Sequence, residues 1–97
     1  MTPEAIVKKK VKKILDTLGC YYFFPATGGY GRSGVPDIIV CFKGHFIGIE
    51  CKSGDNKPTA LQELNLRQIC ENGGRSIVVN ELNLEHLEEW LNERRNL

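Results

Sequence analysis

The chain has 97 residues, 41% of them hydrophobic and 26% charged, with a formal net charge of +1. These values describe one globular domain over residues 1–97, near the lower size limit for a single hydrophobic core, and exclude a disordered or fibrous chain. No apolar run approaches the roughly 20 residues needed to span a bilayer. The start, Met1-Thr2-Pro3-Glu4, lacks the basic residues and apolar stretch of a secretory signal, so a cytoplasmic location is expected.

The first helix is signalled from Thr2, a capping residue, through Pro3 at the first helical position, to Gly19 at its end. Val7, Val11, Ile14, Leu15 and Leu18 recur at helical spacing and form its buried stripe. Glu4 heads that stripe. Two roles fit it: complementing the positive helix N-terminus, or presenting a carboxylate towards the core side. Lys8, Lys9, Lys10, Lys12 and Lys13 crowd the same helix, whereas Glu81, Glu85, Glu88, Glu89 and Glu93 gather near the other end. A solvated helix face accounts for such a lysine run, yet the separation leaves one side basic, as a phosphate backbone requires.

A short aromatic strand, Tyr21 to Phe24, is stopped by Pro25. The stretch Thr27-Gly28-Gly29-Tyr30-Gly31-Arg32-Ser33-Gly34 then reads as a loop. It has neither the Gly-Lys-Ser/Thr ending of a P-loop nor a G-x-G-x-x-G pattern. Tyr30 and Arg32 in it can stack on or pair with a nucleic acid. Two apolar runs, Asp37 to Phe42 and His45 to Lys52, flank Lys43-Gly44 and predict an antiparallel hairpin. Ile38, Val40, Phe42, Ile47 and Ile49 share one face, and Ile39, Cys41, Phe46 and Gly48 the other. Strands apolar on both faces call for helices on both sides.

Lys57-Pro58-Thr59 leads into a helix from Ala60 to Glu71, closed by Asn72-Gly73-Gly74. Ser76 to Asn80 is a further strand, and a last helix from near Asn83 buries Leu84, Leu87, Trp90 and Leu91. The order is α-β-β-β-α-β-α. The helix between them makes the last strand parallel to the one ending at Lys52. Cys20, Cys41, Cys51 and Cys70 are widely spaced with no C-x-x-C pair, which argues against a zinc knot, a redox motif or a disulfide scaffold. Cys41 and Cys51 lie within apolar runs as small hydrophobes.

The hairpin concentrates the chemistry. With Lys43-Gly44 as a two-residue turn, Phe42 faces His45, and counting back along both strands sets Asp37 opposite Glu50 on one face. Opposed side chains have Cβ atoms about 4.5–5.5 Å apart. A three-residue turn or a bulge would make the pair diagonal instead. Two opposed carboxylates repel, and a divalent cation between them removes the conflict; an oxygen-rich site suits Mg²⁺ or Mn²⁺. Lys52 projects from the same face. It can orient or deprotonate a water, stabilise charge growing on a phosphate, or simply close the hairpin with an ion pair.

Gly34-Val35-Pro36-Asp37 followed by Glu50-Cys51-Lys52 resembles the PD-(D/E)XK nuclease signature, in which Pro-Asp opens one strand and Glu-x-Lys closes the next. Gln62 and Gly73-Gly74-Arg75 extend the likeness, from Glu4 to about Asn80, to the VRR-NUC branch, the virus-type replication-repair nucleases. The resemblance implies a restriction-endonuclease-like α/β core with a mixed central sheet flanked by helices. It also implies a metal held by Asp37, Glu50 and the backbone carbonyl of Cys51, with Lys52 acting on the nucleophilic water. Glu4 matches the family's additional acid, binding the metal directly or through water. Gln62 matches a site glutamine, although Thr59-x-x-Gln62 also fits a capping box.

The implied function is Mg²⁺- or Mn²⁺-dependent hydrolysis of DNA phosphodiester bonds, with no organic cofactor and no membrane partner. Stand-alone members resemble Holliday junction resolvases, which implies branched DNA, a homodimer and a bacterial or phage source. Lys8, Lys9, Lys12, Tyr30, Arg32, Ser33, Lys43 and Lys57 are the expected DNA contacts. A nickase or exonuclease would use the same chemistry. A DNA-binding or assembly module with little catalysis is the rival of another class, and the intact Asp37, Glu50 and Lys52 disfavour it.

Overall fold

The computed structural model describes residues 1–26 and 31–93. Helix α1 (Pro3–Leu18) precedes strands β1 (Tyr21–Phe23), β2 (Ile38–Phe42) and β3 (His45–Cys51). Helix α2 (Ala60–Glu71), strand β4 (Arg75–Val79) and helix α3 (Leu87–Asn92) complete the expected order. Thr2 caps α1 by accepting a hydrogen bond from the Ala5 N–H. Gly19 ends the helix in the left-handed conformation at φ 72°, its N–H bonded to the carbonyls of Leu15 and Asp16.

The last helix starts later than its sequence suggests. A 3-10 turn, Leu84–His86, comes first. Asn83 does not cap this turn; its amide instead accepts from the Asn80 N–H and donates to the Val78 carbonyl, so it closes the end of β4.

The strands run in the order β1-β2-β3-β4, antiparallel except for β4, which lies parallel to β3. Lys43 and Gly44 both have positive φ, 52° and 82°, the backbone of a two-residue turn whose twist matches its strands. Phe42 therefore pairs with His45 and Ile38 with Ile49, with no bulge between.

One face of the sheet carries the core. Ile38, Val40, Phe42, Ile47, Ile49, Cys51 and Val79 meet Val7, Val11 and Leu15 of α1 and Leu87 and Leu91 of α3. On the opposite face α2 lies close, because Gly48 and Gly74 offer no side chain. A Cβ at Gly48 would come within 2.7 Å of Ile69 and 2.8 Å of Pro36. The expected cover on this side is only half realised. Tyr21, Cys41 and Phe46 form one cross-strand row, and all three are exposed, Tyr21 at 72% and Phe46 at 50%. Cys41 is thus a surface thiol and not the buried hydrophobe its apolar run suggests, since α2 does not reach across to β2. All four cysteines are free.

Candidate active site

Asp37, Glu50 and Lys52 meet where the hairpin pairing stops. The pairing ends at Ile38 and Ile49; Asp37 follows beside Glu50, and Pro36, whose ring lies over Gly48, has left the register. Proline has no N–H, so the ladder cannot continue. The Asp37 side chain takes its place: Oδ2 accepts the Cys51 N–H at 2.8 Å. In a strand the N–H and C=O of one residue point to the same side, so the Cys51 carbonyl also faces this broken edge.

Glu50 is 1% exposed, an unusual position for a carboxylate. Its Oε2 lies 3.5 Å from the Lys52 ammonium, and its buried Oε1 has no hydrogen-bond partner. Burial, and next the charge of Asp37, push the Glu50 carboxyl up to about 7, although Lys52 opposes the rise. Burial is also the main cause that pushes the Cys51 thiol up to about 12. Asp37 is next, and Lys8, Glu50 and Glu4 are also felt there. Helix α1 therefore brings charges of both signs to the site from the core side of the sheet.

These features fit a hard divalent ion. The orphaned Glu50 Oε1, the outer Asp37 oxygen and the Cys51 carbonyl are oxygen donors at one sheet edge, as Mg²⁺ or Mn²⁺ prefers. Among the described residues, no three His, Cys, Asp or Glu side chains converge on one point. The groups that could hold such an ion are therefore two carboxylates and a main-chain carbonyl. Glu4, half-buried in the first turn of α1, is not a third converging side chain.

The other candidates fall into groups. Gln62 forms a complete capping box: its Oε1 accepts the Thr59 N–H at 2.9 Å, and its own N–H donates to the Thr59 hydroxyl. Lys8 Nζ stands 3.7 Å from Asp37 Oδ1, nearer the site than a backbone contact would need. Lys9 is exposed, and Lys12 pairs with Asp16 at 3.1 Å. Lys43 lies over the Phe42 ring at the hairpin tip, six residues from Asp37 and so roughly 20 Å away at about 3.3 Å per residue. Exposed Arg32 donates to the Gln68 Oε1 of α2, and the Ser33 carbonyl accepts from Asn65. Lys57 is exposed just before α2. Tyr30 lies outside the described residues.

Two features escaped the sequence reading. Lys8 was grouped with its lysine neighbours, although it follows Glu4 by one helical turn and so shares its face. Pro36 reads in the sequence only as part of a motif, although its ring also closes over Gly48 beside Ile69.

A mixed sheet lies between helices, with Pro-Asp and Glu-x-Lys brought together at adjacent strand ends, the arrangement that the resemblance to the PD-(D/E)XK signature leads one to expect. The structure is similar to a solved structure described as a VRR_NUC domain, with a TM-score of 0.79 and 27% identity over 92% of this chain and 97% of that one. The likeness supports reading the chain as a domain of the VRR-NUC type. No family model matches it, and no curated protein matches it in sequence.

Proposed function

We propose that this domain is a metal-dependent deoxyribonuclease that hydrolyses phosphodiester bonds at the Asp37–Glu50–Lys52 site. The observation that carries the reading is the buried Glu50 carboxylate, whose Oε1 has no partner while Asp37 stands beside it. Leaving a buried acceptor unsatisfied costs about 1–3 kcal/mol, a cost that a fold without use for the group would shed. Asp37 Oδ1, Glu50 Oε1 and the Cys51 carbonyl would hold the ion. When bound, the ion would supply Lewis acidity to a water and to a phosphate oxygen.

The chain's own groups do the rest. Lys52, tied to Glu50 Oε2, keeps an ammonium beside the attacking water and the phosphate, where negative charge grows in the transition state. The Cys51 N–H fixes the rotamer of Asp37 through Oδ2, which leaves Oδ1 for the ion. Glu4 acts through water from α1.

Branched DNA and a two-fold dimer are the finer parts of this reading. The exposed row Tyr21, Cys41 and Phe46, beside the short edge strand β1, supports a dimer, because an uncovered apolar sheet face on so small a domain favours association. The test is cleavage of four-way junction, flap, single-stranded and duplex DNA, with and without Mg²⁺ or Mn²⁺. Metal-dependent cutting that is lost in Asp37→Ala and Lys52→Ala is expected. Metal-independent cutting, or none, overturns the proposal. Preference for the junction, together with a sedimentation mass of two chains, would support the resolvase form; a single-chain mass counts against it.

A further inference from the structure

Lys8 has no place in the chemistry described so far, yet it is the α1 lysine that reaches the site. Its ammonium stands 3.7 Å from Asp37 Oδ1, with the lysine side chain 36% exposed and that of Asp37 21% exposed. Asp37 Oδ2 is already held by the Cys51 N–H at 2.8 Å, so Oδ1 is the oxygen that the main chain leaves open. The cation on that oxygen is therefore Lys8. The arrangement is paired: Lys52 sits on Glu50 Oε2 at 3.5 Å, and Lys8 sits on Asp37 Oδ1. Each carboxylate has one lysine, but only Lys8 occupies an oxygen through which a metal would be held.

A divalent ion at Asp37 Oδ1 would place two positive charges against the Lys8 ammonium. The two cannot share the oxygen at contact distance. Lys8 has the means to leave: a flexible four-carbon stem, partial exposure, and a position at the margin of the buried stripe of α1 beside Val7 and Val11, which are anchored in the core. Departing from Asp37, its ammonium stays within a few ångströms of the reacting centre, where a phosphate supplies the next negative charge.

We propose that Lys8 is a positioning residue that serves as the counter-ion of Asp37 in the metal-free protein. Metal entry displaces it, and it then takes a backbone phosphate of the DNA next to the scissile one. Metal loading and phosphate binding are thereby coupled through one side chain. This rests on the metal-dependent reading of the site and adds a prediction that reading does not contain: removing Lys8 tightens metal binding in the absence of DNA. A lysine that merely contacts DNA from the helix surface would leave metal affinity unchanged, and one that merely supported the fold would weaken it when removed.

The experiment is calorimetric titration of Mn²⁺ into the full chain without DNA, for wild type, Lys8→Met, Lys8→Gln and Asp37→Asn, with folding of each verified by circular dichroism. Lys8→Met and Lys8→Gln are expected to bind Mn²⁺ about tenfold more tightly than wild type, the effect of removing one partly screened like charge. In Ca²⁺, the salt dependence of duplex binding is expected to lose about one phosphate contact in both variants. Two lysine variants with wild-type or weaker Mn²⁺ affinity overturn the Lys8 proposal alone, provided that wild type binds Mn²⁺ and Asp37→Asn does not. If wild type itself binds no Mn²⁺, the metal-dependent reading falls and the Lys8 proposal falls with it.

Discussion

Replacing Glu50 with glutamine should stabilise the metal-free protein while removing its response to metal. In the folded chain burial, followed by Asp37, raises the Glu50 carboxyl from 4.5 to about 7. A group whose folded value is raised contributes its stability fully below the unfolded value, near pH 4.5, and loses it as pH rises through about 7. At about pH 8 the ionised carboxylate therefore costs the apo fold about 3 kcal/mol relative to acid, a large part of the stability of a small domain. Glutamine keeps the shape without the charge, and its carbonyl oxygen can still accept from Lys52.

The assay is urea unfolding in EDTA at about pH 8 and about pH 4.5. Glu50→Gln should be more stable than wild type by about 1–3 kcal/mol at the higher pH, with the difference nearly gone at the lower. Adding Mn²⁺ at about a hundred times its dissociation constant should raise wild type by about 2.7 kcal/mol and leave the variant unchanged. Wild-type affinity should also fall as pH drops below about 7, because the ion competes with a proton on Glu50. A variant equally destabilised at both pH values would refute the reasoning, for it would show Glu50 to be a structural partner and not a strained ligand.

Gln62→Ala and Thr59→Ala break the same capping box and should each cost about 1 kcal/mol in thermal or urea unfolding. With Gln62 Oε1 held by the Thr59 N–H, both should alter the cleavage rate equally little; a rate loss above about tenfold confined to Gln62→Ala would assign its amide to the site instead. Gly48→Ala forces a methyl against Ile69 and Pro36, for which about 1–3 kcal/mol of destabilisation is expected. Since Pro36 adjoins Asp37, weaker Mn²⁺ binding should accompany that loss, and a stability change without it would separate the two.

The hairpin was the most legible part of the molecule, because a period of two and a Lys-Gly turn leave little freedom once both faces are apolar. That register alone puts Asp37, Glu50 and Lys52 on one face at one end of the hairpin. The sequence was less informative wherever a side chain had two partners to choose from. Asn83 read as a helix start and closes β4 instead; Gln62 read equally as a cap and as a site residue, and its oxygen is engaged as a cap. Lys8 could not be separated from four neighbouring lysines by charge, only by its helical phase. The bare half of the sheet was missed because strand pattern shows which residues form a face but not how far a helix extends over it.

The position of the site follows from one residue that is poor for a sheet. Pro36 is buried just before Asp37, its ring over Gly48, and has no N–H with which to carry the ladder further. With an N–H at residue 36 the segment could extend its pairing towards Cys51, engaging the Cys51 carbonyl and taking the Cys51 N–H that now holds Asp37. Pro36→Ala makes that exchange possible. The added hydrogen bond is worth about 0.5–1.5 kcal/mol, and the more flexible unfolded chain costs about 0.4–1 kcal/mol, so net stability should barely move. Mn²⁺ affinity should fall by about tenfold or more, because one oxygen ligand is engaged and another has lost its fixed rotamer. Slower hydrogen exchange at residue 36 than at exposed loop amides would show the extended ladder directly. Wild-type metal affinity in Pro36→Ala would mean that the broken strand edge is incidental, and that the carboxylates alone define the site.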